Sequence, residues 1–164
     1  MSVEVLISDC KGEPDALERI FTERPEVLAH NLETVARLQR AVRPSAGYAR
    51  SLAVLARAKA AGLTTKSSLM VGLGETEPEV LDALADLRGV GVDIVTIGQY
   101  LRPSADHLPV ARWWTPDELT ALKVAGEAMG IGHVEAGPLV RSSYHARQAA
   151  EATAAPRPEV TAWG

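Results

Sequence analysis

The chain has 164 residues, 46% of them hydrophobic and 23% charged, which is enough for one soluble domain with a core. Its formal charge of −4 and pI of about 5.6 give no electrostatic ground to expect nucleic acid as a partner. No apolar run approaches the ~18 residues that suggest a membrane span, and one cysteine excludes an internal disulfide framework and fits a reducing cytoplasm.

The start, Met1-Ser2-Val3-Glu4-Val5-Leu6-Ile7, lacks the basic and small-residue signals of a secretory leader and is expected to enter a strand at once. Residues 3–7 are the first of five short apolar stretches; the others are 27–30, 64–71, 93–97 and 133–136. Each is too short for a helix and most are nearly continuous in apolar character, which suits strands buried on both faces. Helical periodicity predicts helices at 15–23, 34–42 and 48–61, the last followed by Gly62 at a C′ position. Two capping boxes, Thr76-Glu77-Pro78-Glu79 and Thr115-Pro116-Asp117-Glu118, announce helices over 80–88 and 119–129. Arg37, Arg40 and Arg43 read as the solvated face of the second helix.

Alternating strands and helices mean parallel βα units. Five strands fit either an open doubly wound sheet or part of a βα barrel, since a complete eightfold barrel needs about 250 residues. Both architectures put chemistry at the C-terminal ends of the strands. Those ends carry Asp9 and Cys10; His30, Asn31 and Glu33; Gly72, Gly74 and Glu75; Gln99 and Tyr100; and Arg141, Ser142 and Ser143.

Three of these groups invite a functional reading. His30-Asn31-Leu32-Glu33-Thr34 bunches polar side chains that suit a ribose or an amino-acid group, although Thr34 could simply cap a helix. Lys66 lies inside a strand pattern, where a lysine needs a partner or a cavity. It leads into Gly72-Leu73-Gly74-Glu75, where the glycines allow a close backbone approach but complete no phosphate-binding fingerprint. Tyr100-Leu101-Arg102 ends a strand with a guanidinium that could take a carboxylate. His30, His107 and His145 match no zinc spacing, and Cys10 reads as a packed strand-end residue rather than a nucleophile.

Together these segments resemble the C-terminal half of the lipoyl synthases, which are radical S-adenosylmethionine enzymes. The resemblance runs from about Val3 to Ala146. It is carried by His30-Asn31-Leu32-Glu33-Thr34-Val35, Thr65-Lys66-Ser67, Leu69-Met70-Val71-Gly72-Leu73-Gly74-Glu75, Asp93 through Leu101, His107-Leu108-Pro109-Val110 and Gly137 through Ala146. It implies the C-terminal part of a radical-SAM partial (β/α)6 TIM-like barrel, left open because the N-terminal strands are absent. It also implies two 4Fe–4S clusters, S-adenosylmethionine as cofactor, and octanoylated lipoyl carrier domains as partners. The family activity inserts two sulfurs at the sixth and eighth carbons of a protein-bound octanoyl group.

On this resemblance Ser143 is the serine ligand of the auxiliary cluster, with Ser142 the second choice. Asn31, Glu33, Lys66, Gly72, Gly74 and Glu75 face S-adenosylmethionine. Neither of the family's cysteine triads is present, so the chain is expected to be a fragment, inactive alone, that needs an N-terminal half. Residues 1–150 are expected to form that half-barrel with its cluster-ligand segment, and residues 151–164, rich in Ala, Pro and Thr, a disordered tail. Two other readings remain open: a small α/β module binding a nucleotide-like ligand, and an aldolase-like enzyme using Lys66 as a Schiff-base nucleophile.

Overall fold

The computed structural model describes residues 3–143. Five parallel strands, β1 (Glu4–Leu6), β2 (Val27–Ala29), β3 (Thr64–Val71), β4 (Ile94–Gln99) and β5 (His133–Gly137), form one open sheet. The expected strands are all found, with ends shifted by a residue or two. The helices are α1 (Pro14–Thr22), α2 (Gln39–Val42), α3 (Tyr48–Ala60), α4 (Glu77–Gly89) and α5 (Pro116–Ala128). The boundary expected at residue 150 and the tail over 151–164 lie outside the described residues.

The strand order is β1-β2-β3-β4-β5, with every neighbouring pair parallel. A doubly wound sheet reverses its order at a switch point; this sheet winds in one direction, as a barrel wall does. Residues two apart in a strand share a face, and one face carries Leu28, Leu69, Val71, Val95, Ile97 and Val134 into the two apolar clusters with the helices. Leu17 and Phe21 of α1 pack with Val54 and Ala58 of α3 in the smaller cluster. Val80, Leu84 and Leu87 of α4 join Leu119 and Leu122 of α5 in the larger one. The opposite face carries Glu4, Lys66, Ser68 and Thr96.

Both capping boxes are formed. Thr76 and Thr115 accept from the amides of Glu79 and Glu118, and each glutamate reaches back to its threonine's N–H. Gly62 has φ +86° after α3, as its C′ position requires.

The helix expected over 34–42 is corrected. It is a 3₁₀ turn, Ala36–Leu38, followed by the single turn of α2. Thr34 caps neither piece; its hydroxyl oxygen is buried without a partner. The backbone there first serves the end of β2, as described below. The three arginines are also not one solvated face. Arg37 and Arg40 are exposed as expected, Arg37 also binding Glu79 and the Gly74 carbonyl, whereas Arg43 is half-buried and turned to the loop after β2.

No helix among the described residues is long and apolar enough to cross a membrane.

Candidate functional site

A cavity of about 310 Å3 opens at the C-terminal ends of β2, β3 and β4. Asn31 and Glu33 line it from β2, Ser68 and Met70 from β3, Gly98 and Gln99 from β4, and Arg141 and Ser142 from the segment after β5. That segment can lie against the sheet because position 98 has no side chain: a Cβ there would collide with the Val140 carbonyl. Asn31 and Glu33 also line a second cavity of about 400 Å3 with Asp9, His30 and Arg43, so the end of β2 divides the mouth into two compartments.

Glu33 has φ +69°, a left-handed conformation that is uncommon for a residue with a side chain. Strand β3 holds it there: Glu33 N donates to the Ser68 carbonyl (2.9 Å) and Glu33 O accepts from Met70 N (2.8 Å). Burial pushes the Glu33 carboxyl above its ordinary range, while the Asn31 amide and the Arg43 charge pull it back. Asn31 Oδ1 is buried with no partner. An unpaired buried acceptor beside a cavity is costly unless something donates to it.

His30 is buried and neutral in character. Burial lowers its pKa, and the nearby Arg43 charge adds to that, against the Ile7 carbonyl and Asp9, which raise it. Its Nδ1 lies 3.0 Å from the Ile7 carbonyl, an acceptor only, so Nδ1 carries the proton. Nε2 then accepts from Ser51 Oγ at 2.9 Å, and Ser51 in turn accepts from Arg43 Nη2 at 2.9 Å.

The remaining expected site residues lie around this mouth. Lys66 is 1% exposed and pairs with Glu4 at 3.0 and 3.2 Å across the sheet face. It does not line the main cavity. Glu75 turns back on its own turn, accepting from the amides of Gly72 and Leu73, and takes the Trp114 indole N–H at 3.0 Å. Gly72 has φ +102° and would collide with the Gln99 amide if it carried a Cβ; Gly74 has φ +113°. Gln99 fixes the following loop, accepting from Trp114 N and donating to the Arg112 carbonyl. Arg102 donates to the carbonyls of Ala105 and His107, so its guanidinium ties its own loop.

Of the closing Arg141-Ser142-Ser143-Tyr144-His145-Ala146 string, Ser142 lines the cavity and Ser143 is exposed; Tyr144, His145 and Ala146 lie outside the described residues. Cys10 sits after β1, partly packed against the smaller apolar cluster, with φ +48°. Among the described residues no three His, Cys, Asp or Glu side chains converge as a metal site.

Sequence reasoning missed Glu4, Gln39, Arg43 and Ser51. Glu4 left a usable signal: it and Lys66 are each the one charge inside their strands, and each needs the other. Gln39, Arg43 and Ser51 left none, because polar residues on helical segments read as solvated.

No protein-family model matches the chain. Its sequence is similar to curated lipoyl synthases. It is 58% identical over 156 residues to that of Mycobacterium avium (strain 104), covering 93% of this chain and 51% of the relative. It is 55% identical over 152 residues to that of Rubrobacter xylanophilus, covering 92% and 47%. It is 53% identical over 163 residues to that of Mycolicibacterium smegmatis, covering 97% and 52%. The chain spans about half the length of the curated relatives it matches.

Proposed function

We infer that the chain is the C-terminal half of a lipoyl synthase, and that its mouth serves S-adenosylmethionine-dependent insertion of two sulfurs into a protein-bound octanoyl group. The observation that carries this reading is identity of 53–58% along more than nine-tenths of the chain. The site supports it. The similar stretch includes a cavity at the strand ends, where a βα barrel does its chemistry.

The residues present fit S-adenosylmethionine. Its ribose hydroxyls and methionyl ammonium are donors. Asn31 Oδ1 is a buried acceptor without a partner, and the Glu33 carboxylate lines the same cavity. We assign these two as direct ligands. Gly72, Gly74 and Glu75 bring the neighbouring turn close: the glycines let the backbone bend, and Glu75 holds the bend by taking two of its amides. Lys66 holds β1 to β3 beneath the mouth through Glu4. S-adenosylmethionine supplies the radical chemistry that removes hydrogen from the acyl chain; the protein's part is to orient it and exclude water.

The residues present do not fit a 4Fe–4S cluster. Cluster ligands are thiolates, and Cys10 is the one cysteine of the chain. The cysteines of both clusters therefore belong to the other half of the enzyme. Ser143, next to the cavity-lining Ser142, is the one hydroxyl that the family resemblance would add to an auxiliary cluster held by cysteines of the other half.

The test is anaerobic assembly of the chain with a segment carrying both cysteine triads, joined or separate, followed by mass spectrometry of an octanoylated carrier domain. Lipoyl formation that requires both parts is the expected outcome. A folded, cluster-loaded assembly that leaves the octanoyl group unchanged would overturn the reading.

A further inference from the structure

The loop from Asn31 to Thr34 has no free carbonyl, and two side chains account for most of that. Arg43 Nη1 donates to the Asn31 carbonyl at 2.9 Å. Gln39 Nε2 donates to the carbonyls of Leu32 and Thr34, each at 2.7 Å. The Glu33 carbonyl is taken by Met70 N of β3. Gln39 and Arg43 are themselves joined, since Gln39 Oε1 accepts from Arg43 Nε at 3.1 Å and Nη2 at 2.9 Å. Gln39 opens the single turn of α2 and Arg43 follows that turn at its C-cap, so the amide and guanidinium form one clamp across a loop that bends left-handed at Glu33.

This clamp explains three separate facts. A left-handed non-glycine residue persists only where its surroundings over-determine it, and here bonds hold the loop on both sides. Gln39 is 5% exposed although it is polar, because both ends of its amide are used. The expected helix is α-helical only over its last turn, and at its start the Thr34 carbonyl is taken by the Gln39 amide.

We propose that Arg43 and Gln39 are positioning residues: they set the bend that presents the Glu33 carboxylate and the unpaired Asn31 oxygen to the mouth, and they touch no ligand themselves. The ligand half of this proposal rests on S-adenosylmethionine occupying that mouth; the clamp itself does not.

The test uses the chain with Gln39→Ala, Arg43→Gln and Arg43→Lys. Amide hydrogen exchange is read at Glu33 and Met70, whose N–H groups join the loop to β3, with Val95 and Ile97 of β4 reporting an intact fold. S-adenosylmethionine affinity is measured on the same variants assembled with a segment carrying both cysteine triads, and the Glu33 carboxyl is titrated by NMR. The charged and titratable groups around Glu33 are Asp9 after β1, His30 on β2, Arg43 after α2 and Arg141 after β5.

Gln39→Ala should speed exchange at Glu33 and Met70 at least tenfold, leave β4 protected, and weaken binding by a similar factor. Arg43→Gln should do the same and also raise the Glu33 midpoint, because a cation is lost beside it. Arg43→Lys should restore the midpoint but not the binding, since an ammonium cannot span acceptors on Asn31, Gln39 and Ser51. Unchanged exchange at Glu33 and Met70 in Gln39→Ala would overturn the clamp. Faster exchange with unchanged affinity would overturn its positioning role. A wild-type assembly of both parts that binds no S-adenosylmethionine, while the exchange effects appear, would overturn the ligand reading and support the clamp.

Discussion

Charge placement is where single residues of this chain speak most plainly. Lys66 stood out in the sequence as a cation inside a strand, and it is buried against Glu4. Its partner lies 62 residues away and required the strand order to be found. The pair is asymmetric, with side chains 1% and 24% exposed, so its two halves should respond differently. Glu4→Gln strands a buried ammonium and should cost about 3–5 kcal/mol, whereas Lys66→Met removes that charge and should cost far less or nothing. Urea unfolding of both variants checks this, and equal losses would contradict it. Asn31 and Glu33 were legible as a polar bunch at a strand end. The left-handed bend at Glu33 was not, because it comes from two bonds to β3 and a clamp from α2, none of them local in sequence.

Elements were legible in proportion to how local their causes are. A capping box is written in four consecutive residues, and both boxes formed as read. Thr76→Ala and Thr115→Ala should each lower stability by about 1 kcal/mol, seen as a lower denaturation midpoint with unchanged slope. Helix 34–42 failed for the opposite reason. Its apolar spacing through Val35, Leu38 and Val42 is genuine, but tertiary hydrogen bonds to the loop after β2 claimed its first turns. Gly98 gave no sequence signal at all; its need is set by the Val140 carbonyl crossing over it.

For the whole molecule, the βα alternation told the class, and only the strand order decided between the two architectures it allowed. The open side at β1 was expected through the family resemblance, not from the βα alternation itself. Its inner face shows Leu6 at 58% exposure and its flank shows Val3 at 46%, beside a cavity of about 570 Å3 lined by Val5, Ile20 and Pro25. In a parallel sheet both faces of a strand are normally covered. Leu6→Asp should therefore leave the stability of the chain within about 0.5 kcal/mol, yet block assembly with a segment carrying the cysteine triads. Co-purification with that segment measures it, and unimpaired co-purification of the variant would place the partner elsewhere.

The order of the strands also has a temporal side. Each strand bonds only to its neighbours in sequence, and the ladder is longest where Lys66–Val71 meets Ile94–Gln99 and short on both sides of Val27–Ala29, with Glu4–Leu6 held from one side only. Local opening free energies follow the extent of such ladders and the apolar contacts behind them. The sheet should then zip outward from β3 and β4, and β1 should order last and fray first. The rim that another half would join is the part of the molecule that settles latest, so joining it would act on a strand still able to adjust its register.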